Sequence, residues 1–308
     1  MAKKIATRQA YGEFLVEYGA ERKDLIVMSA DLSGSNKTDG FEKAYPDRFV
    51  EAGISEQDMY AEATGIAHSG HVVAASTFAM FAAGRSYEII RNSIAHTHAN
   101  VKICATHGGI TVGEDGASHQ TFEDLALMRV IPDMTVLCPA DAVSTKILMR
   151  QEFDKNGPAY IRLGRSGVPV IYDEDADITI GKGNLLRKGS DVAIIATGIM
   201  VAAALEAADK LAEEGIDARV IDMHTIKPID EDIILEAAFE CGKIVTCDEH
   251  SVIGGLGSAV CEVTAAKCPC PVRMVGQKDV FGESGTPGEL LKKYGMTADD
   301  IAEAARTI

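Results

Sequence analysis

Val101-Lys-Ile-Cys-Ala-Thr106 is followed directly by His107-Gly-Gly-Ile-Thr-Val-Gly-Glu-Asp115-Gly-Ala-Ser-His119-Gln120. The first six residues predict a buried strand, and the glycine-rich segment after them has little helix or strand character. Glycine lets a backbone approach a ligand closely, and histidine changes its charge near neutral pH. The stretch therefore predicts a strand that leads into a loop suited to acid–base chemistry on a carbonyl or polyhydroxylated substrate. A surface turn with incidental histidines is the alternative.

Short β-type runs alternate with longer amphipathic stretches on both sides of this segment. In the first half of the chain, the predicted strands are residues 25–29, 71–76, 101–106, 134–138 and 159–163. In the second half they are residues 192–196, 218–221, 243–247 and 272–275. This alternation is typical of parallel sheets covered by helices. The sequence therefore predicts an α/β protein with two open, mainly parallel sheet domains.

A change of composition separates the two alternations. Gly164-Arg165-Ser-Gly-Val-Pro-Val is followed by an acidic stretch with several glycines, from Asp173 to Ser190. We predict a first domain over residues 1–170, a linker over 171–190 and a second domain over 191–308. Open α/β sheets bind ligands at the carboxyl ends of their strands, so we expect function in the loops that follow the strands.

Charge and composition argue against several kinds of partner. The 30 basic and 46 acidic side chains give a formal net charge of −16, which opposes binding to nucleic acid or an anionic membrane. The N-terminus has no apolar signal core, and the longest uncharged run, residues 192–205, is too short to span a bilayer. We therefore expect a cytoplasmic protein. The seven cysteines are predicted to be reduced thiols, and no metal site is expected at Cys268-Pro-Cys270.

Polar side chains follow the first predicted strand. Asp31 and Ser35 come after residues 25–29, either as ligand groups or as part of an Asx-type turn. Glu56 lies further along, at the start of an amphipathic stretch. There Ser55 fits a helix N-cap with Asp58 three residues later, in which case Glu56 is only a carboxylate of the first turn.

Two phenylalanines come after the next predicted strand. Phe78 and Phe81 are spaced by about one helical turn. Such a pair is usually part of a core, but a glutamate and two aromatic rings at neighbouring strand ends can also bracket one flat heterocycle.

Taken in order, these segments resemble the pyrimidine-binding domain of transketolase, and the rest of the chain is similar to the C-terminal domain of that family. The resemblance is carried by Asp31-Leu-x-x-Ser35-Asn36, Gly53-Ile-x-Glu56-Gln57, Thr77-Phe78-x-x-Phe81, His107…Gly113-Glu-Asp115-Gly-x-x-His119-Gln120, Asp222-Met-His-Thr-Ile-Lys-Pro228 and Asp248-Glu-His-x-x-x-Gly-Gly-Leu-Gly257. It covers essentially the whole chain, and several motifs in one order are far more specific than any single motif.

The resemblance implies a role for each candidate residue. Glu56 would hydrogen-bond the pyrimidine ring nitrogen of thiamine diphosphate and drive its tautomerisation, and Phe78 and Phe81 would enclose the pyrimidine. His107 and His119 would bind the donor sugar and move protons on its carbonyl and hydroxyl groups.

The remaining candidates would contact the substrate or the edge of the cofactor site. Asp115 would recognise the hydroxyl next to the carbonyl of the acceptor aldehyde. Arg8, Ser35 and Arg165 would hold the distal phosphate of a sugar phosphate. Asp31 would lie near the cofactor or a neighbouring subunit.

One family motif is not found in the chain. Transketolases bind the metal and the cofactor diphosphate through Gly-Asp-Gly and a later Asn, in a domain that has no counterpart in this sequence. The resemblance therefore implies the C-terminal subunit of a split transketolase, completed by an N-terminal subunit that brings Mg²⁺ or Ca²⁺. We expect a heterotetramer with two copies of each subunit, which moves a ketol group from xylulose 5-phosphate to ribose 5-phosphate.

Two departures from the family pattern leave the substrates open. Gly108-Gly109 stands where many full-length transketolases have Asp-Ser, and the stretch from Ala82 to Tyr87 is one residue longer than usual. A transketolase-like enzyme for a sulfonated or otherwise modified sugar therefore remains an alternative. The others are a 2-oxoacid dehydrogenase beta subunit, a deoxyxylulose-phosphate synthase fragment and a non-catalytic partner protein. His107 and the Gly-Glu-Asp-Gly-x-x-His loop favour a sugar substrate.

Overall fold

A computed structural model describes residues 3–308; residues 1 and 2 of the predicted first domain lie outside the described residues. The strands are β1 (Lys4–Ala6), β2 (Leu25–Ser29), β3 (Phe49–Glu51), β4 (Val72–Phe78), β5 (Val101–Thr106), β6 (Thr135–Leu137), β7 (Ala159–Arg162), β8 (Gly167–Pro169), β9 (Asn184–Arg187), β10 (Val192–Ala196), β11 (Ala218–Asp222), β12 (Thr225–Lys227), β13 (Ile244–Ser251) and β14 (Val272–Gln277). The α-helices are α1 (Thr7–Glu21), α2 (Ser33–Asn36), α3 (Asp39–Ala44), α4 (Glu56–His68), α5 (Tyr87–Ile89), α6 (Asp124–Arg129), α7 (Ala142–Asp154), α8 (Met200–Glu213), α9 (Glu231–Cys241), α10 (Leu256–Lys267), α11 (Pro287–Lys293) and α12 (Ala298–Arg306).

The first sheet has seven strands in the order β12-β6-β7-β5-β4-β2-β3. All neighbours run parallel except β12, which pairs antiparallel with β6 at one edge. Every residue of β4, β5 and β7 is buried, as expected for strands covered by helices on both faces. On one face α1 packs against α7, and residues of both helices belong to one core cluster. Residues of α4 belong to the core on the other face.

The second sheet has five strands in the order β14-β13-β10-β11-β9. Its neighbours are parallel except β9, which runs antiparallel to β11. The two-sheet α/β fold predicted from the sequence is confirmed. However, β9 lies within the stretch expected to be a linker, and β12 comes from the second half of the chain but extends the first sheet. The two halves therefore share main-chain hydrogen bonds as well as side-chain contacts.

One local expectation near the site was wrong, and one alternative interpretation is met only in part. β4 continues past residue 76 to Phe78, so this phenylalanine closes the strand instead of following it. Ser55 does stand at the N-cap of α4, but its side chain makes no capping hydrogen bond. Glu56 is buried rather than exposed in the first helical turn, so the capping pattern does not account for its carboxylate.

None of the helices found between residues 3 and 308 is both long enough and apolar enough to cross a membrane. All seven cysteines are free, and four of them are buried.

Candidate active site

Most of the candidate residues lie near the carboxyl ends of strands of the first sheet. Phe78 is the last residue of β4, and His107 directly follows β5, its parallel neighbour. Asp31 follows β2, and Glu56 begins α4 after β3. Because parallel strands end at the same edge of a sheet, residues far apart in sequence meet here.

His107 is the centre of a buried hydrogen-bonded chain. Its Nε2 lies 3.1 Å from Arg8 Nη1, and its Nδ1 lies 2.8 Å from Thr106 Oγ1. A guanidinium can only donate, so Nε2 accepts and the ring proton is on Nδ1. Thr106 Oγ1 then donates to Asn36 Oδ1 at 2.7 Å. The surrounding residues thus select one tautomer of the imidazole.

The imidazole of His107 is neutral around physiological pH. Burial, followed by the charges of Arg8 and Arg165, lowers the pKa of His107 to about 3. Burial and then Arg165 also lower the pKa of Arg8. Two cations and a buried ring therefore lie close together, an arrangement that an anionic ligand group would stabilise.

An aromatic cluster adjoins His107. The imidazole stacks on Phe78 with ring centroids 3.8 Å apart, and Phe78 and Phe81 lie nearly parallel, with centroids 5.9 Å apart. The ring of His119 is directed at Phe81 edge-on, at 5.4 Å. The four rings form a flat-walled, mostly apolar surface at the strand ends, which suits an aromatic ligand.

Glu56 is the carboxylate of this cluster. Its side chain is only 3% exposed, and its Oε2 accepts a hydrogen bond from Arg85 Nη1 at 3.0 Å. The Arg85 guanidinium lies over the Phe81 ring, 5.5 Å from the ring centroid. The contact therefore joins the carboxylate to the aromatic wall.

Sequence reasoning missed Arg85. The residues from Met80 to Arg85 form a π-helical turn, and so do Ile90–Ala95. A π-turn bonds residue i to i+5 and so takes one more residue than an α-turn. The extra residue noticed after Phe81 was the available signal, and Tyr87, the aromatic residue beyond it, packs against the core.

The residues proposed to bind a phosphate are only partly brought together. Arg8 Nη1 donates to the main-chain oxygen of Ser35 at 2.8 Å, not to its hydroxyl. Arg165 Nη1 donates to Val112 O at 2.6 Å and to Glu114 at 2.7 Å, so this arginine holds the loop that contains both acceptors. Arg8 Nε and Asn36 Nδ2 are buried and have no hydrogen-bond partner within residues 3–308. Twelve other buried side-chain nitrogen or oxygen atoms within residues 3–308 also have no partner, so what singles out these two donors is their position beside His107 and Thr106.

Two further candidates lie apart from the buried cluster. Asp115 is exposed, at the end of a 3₁₀ turn formed by Ile110–Asp115. Asp31 is also exposed and has a positive φ of 56°, and its main-chain nitrogen donates to Glu51 at 2.6 Å. Neither carboxylate is drawn into the cluster by the contacts described.

The inner side of the loop packs on the second half of the chain. Thr111 N donates to Glu249 Oε1 at 2.5 Å, and Arg162 Nη2 donates to Glu249 O at 2.8 Å. Burial raises the pKa of Glu249 to about 7. These residues support the candidate site. Thr111 belongs to the glycine-rich segment and Glu249 to the Asp-Glu-His motif, whereas the sequence analysis did not single out Arg162.

The same contacts account for Gly108-Gly109. A Cβ atom on Gly108 would lie 2.4 Å from Arg162 Nε, and one on Gly109 would lie 2.3 Å from Glu249 Cδ. Gly109 also has a φ of 82°. An Asp-Ser pair at these two positions therefore would not fit this packing. No group of three or more His, Cys, Asp or Glu able to hold a metal occurs in the described part of the chain.

Comparison with known families gives a consistent result over most of the chain. The family model of the transketolase pyrimidine-binding domain matches residues 3–170, and that of the transketolase C-terminal domain matches residues 181–301. A solved structure described as a split gene transketolase, inactive beta4 tetramer, is 54% identical with a TM-score of 0.92, covering 98% of this chain and 97% of its own.

Curated relatives carry related names. A putative transketolase C-terminal section from Methanocaldococcus jannaschii is 49% identical, covering 96% of this chain and 94% of its own length. A 6-deoxy-6-sulfo-D-fructose transketolase subunit from a Clostridium species is 40% identical over 98% of this chain and 94% of its own. One of the subunits of an apulose-4-phosphate transketolase from Phocaeicola vulgatus is 39% identical over 98% and 96%, respectively.

Proposed function

The chain belongs to the transketolase family, and we propose that it is the pyrimidine-binding subunit of a two-chain transketolase. It works together with an N-terminal subunit that binds the cofactor diphosphate and the metal, Mg²⁺ or Ca²⁺. The assembly is a heterotetramer with two copies of each subunit.

The observation that carries this proposal is the buried carboxylate of Glu56, which Arg85 joins to the wall formed by the parallel rings of Phe78 and Phe81. A flat aminopyrimidine needs aromatic walls and a carboxylate within reach of a ring nitrogen, and these residues supply both. Bound thiamine diphosphate supplies the nucleophilic carbon that takes up and passes on a two-carbon ketol unit. Glu56 holds the pyrimidine ring nitrogen and governs its proton, while the phenylalanines exclude water.

The loop residues bind the sugars in this proposal. His107 is neutral and has a fixed tautomer, so it can exchange hydrogen bonds with a donor carbonyl or hydroxyl without carrying charge. His119 lies at the other side of the aromatic cluster and moves protons on the same substrate. Asp115 recognises the hydroxyl next to the acceptor carbonyl.

Arg8, Ser35 and Arg165 hold the distal phosphate of a ketose or aldose phosphate. Support comes from the mutual repulsion of the two arginines and from the unpaired Arg8 Nε. A phosphate would pair with this nitrogen and offset the repulsion, as bidentate arginine–phosphate contacts do. Xylulose 5-phosphate as donor and ribose 5-phosphate as acceptor fit this description.

A modified sugar is the second candidate, and Gly108-Gly109 is the observation that favours it. The packing against Arg162 and Glu249 leaves no room for side chains there, so two polar groups present in many full-length transketolases are absent near the donor. Two relatives are named for 6-deoxy-6-sulfo-D-fructose and apulose 4-phosphate, so both sugars belong in the first test.

An exposed apolar surface supports the need for a partner. Four large apolar side chains in the lining of one groove are exposed, of which Phe281 is 85% exposed: Val130, Ile253, Val280 and Phe281. Apolar patches of this kind on a protein surface commonly mark interaction sites.

The test is a ketol-transfer assay with thiamine diphosphate and Mg²⁺. This chain alone, the N-terminal subunit alone and the two mixed are each given xylulose 5-phosphate with ribose 5-phosphate, then each modified sugar. We expect transfer only in the mixture. A complex that binds the cofactor yet transfers from none of these donors would refute the sugar assignment. Transfer by this chain alone would refute the two-chain requirement.

A further inference from the structure

Arg85 is joined to the start of α4 by two separate contacts. Its guanidinium donates to Glu56 Oε2 at 3.0 Å, and its main-chain oxygen accepts a hydrogen bond from Gln57 Nε2 at 3.2 Å. The first two residues of α4 thus both bind the last residue of the π-helical turn Met80–Arg85. The same turn contains Phe81, so the carboxylate and the aromatic wall are linked through one arginine.

The two oxygens of Glu56 are not equivalent in this arrangement. Oε2 is held by Arg85, whereas Oε1 makes no hydrogen bond to any part of residues 3–308. The terminal torsion of a glutamate is broad and places the two oxygens loosely. A guanidinium that holds one oxygen, and is itself fixed over an aromatic ring, limits where the other oxygen can lie.

We infer that Arg85 is a positioning residue for the pyrimidine-binding glutamate. It holds Glu56 Oε2 and thereby presents Oε1 to the ring nitrogen of the cofactor. This inference rests on the proposed function, because it requires Glu56 to act on the pyrimidine. Arg85 itself is 53% exposed, and it does not need to touch the substrate.

The π-helical turn explains how Arg85 reaches its position beside Glu56. The extra residue after Phe81 is taken up within Met80–Arg85, and Arg85 comes to lie over the Phe81 ring. π-turns are rare and occur frequently at functional sites. The turn therefore places a guanidinium on the carboxylate of Glu56, while Phe78 and Phe81 lie stacked beside it.

The experiment uses the assembled two-subunit complex with thiamine diphosphate and Mg²⁺, without any sugar. The rate at which the acidic thiazolium proton of the bound cofactor exchanges in D₂O is measured by quenched-flow NMR. Cofactor affinity is measured separately by titration, and the melting temperature reports folding. Proton exchange depends directly on the contact between Glu56 and the pyrimidine, so it tests Arg85 whatever the substrate proves to be.

We expect Arg85→Gln to slow the exchange by about tenfold at saturating cofactor, part of the effect of losing an acid–base group outright. Arg85→Lys should recover part of this rate, because lysine keeps the charge but not the planar fork. The melting temperature should remain that of the unaltered complex.

Arg150→Gln is the matched control. Arg150 also pairs with a carboxylate, that of Glu21 at 2.6 Å, and lies over a ring, that of Tyr18 at 4.9 Å. This pair is far from the candidate site. Glu21 ends α1, whereas Arg8, which contacts His107, lies near the start of the same helix, about 20 Å away. This variant should exchange the proton at the original rate.

Other outcomes overturn the inference. Unchanged exchange in Arg85→Gln would show that Glu56 needs no anchor, and tighter cofactor binding with faster exchange would show that Arg85 obstructs the site. Weaker binding with normal exchange at saturation would make Arg85 a binding group. A complex that exchanges the proton but transfers no sugar refutes only the substrate assignment. A complex that binds no cofactor refutes both proposals.

Discussion

The segment from His107 to Gln120 has two sides that are built differently. On one side, His107 and His119 meet Phe78 and Phe81 at the ends of parallel strands. On the other side, the main chain of the same loop packs against Arg162 and Glu249. Both sides contain buried donors without a hydrogen-bond partner in the described part of the chain, Arg8 Nε on the first and Arg162 Nε on the second. What distinguishes the second side is that it joins the loop to the other half of the chain. We call the first the outer side of the loop and the second the inner side.

Backbone strain occurs on the outer side, at His107. Five residues other than glycine have positive φ angles within residues 3–308, and His107 is the one among them that belongs to this loop. Such conformations cost free energy and persist where the surrounding structure imposes them, commonly at functional sites. The difference between the sides indicates that the inner packing contributes stability that the strained outer residues lack.

The largest effect should come from removing the carboxylate on the outer side. In the assembled complex, Glu56→Ala should lower ketol transfer by about two to four orders of magnitude, because an acid–base group is lost. The free energy of unfolding of the Glu56→Ala variant should change much less than its activity does. Glu62→Ala, an exposed change on the same helix, is the control and should keep full activity. Substantial activity in Glu56→Ala would remove the chemical distinction between the two sides.

On the inner side, the corresponding change should act on stability. Arg162 is buried, with its Nε 2.9 Å from Asp124 Oδ2. Arg162→Met leaves that carboxylate buried without its cation, which should lower the free energy of unfolding by about 3–5 kcal/mol. Arg187→Met removes a more exposed pair with Asp209 and should cost at most about 1 kcal/mol. Urea unfolding measures both, and equal losses would contradict the inner side's structural role.

A glycine at the boundary tests whether the two sides are coupled. Gly109→Ala adds a Cβ at a φ of 82° and places it 2.3 Å from Glu249 Cδ. Strain and overpacking together should cost about 3 kcal/mol and displace the loop, so kcat should fall as well. Gly215 has a similar φ of 80°, but a Cβ there would have no atom within 4 Å. Gly215→Ala therefore measures the cost of backbone strain alone. If both variants keep the same kcat, the loop tolerates displacement.

The sequence predicted one side far better than the other. β2, β5 and β10 begin and end where the sequence predicts, because a buried parallel strand has a mostly apolar sequence. The candidate residues on the outer side belong to motifs that follow predicted strands. Arg162 and Glu249 are 87 positions apart and meet only because the two halves pack together, a contact that no local pattern reveals. Arg85 was missed because a π-helical turn changes the spacing that helical periodicity assumes.

The two sides should also respond to pH in opposite directions. Burial raises the pKa of Glu249 to about 7, above that of a glutamate in the unfolded chain. The folded state therefore binds a proton that the unfolded state has released, and this contribution to stability is lost as pH rises from about 5 to 8. Relative to Glu249→Gln, the original chain should lose about 2–3 kcal/mol over that interval. A parallel pair of stability curves would mean that Glu249 does not titrate in this range.

His107 on the outer side has the opposite sign. Burial and the charges of Arg8 and Arg165 lower its pKa to about 3. Between this pKa and that of the unfolded chain, the unfolded state binds a proton that the folded state does not bind. Stability from the neutral ring is complete above the unfolded pKa of about 6.5 and is lost as pH falls below it. Relative to His107→Gln, the original chain should therefore gain about 2 kcal/mol between pH 5 and pH 8. Urea unfolding of both variants at each pH measures the two trends together. If the His107 difference instead followed that of Glu249, the ring would be charged in the folded protein, and the tautomer that Arg8 imposes on it would be wrong.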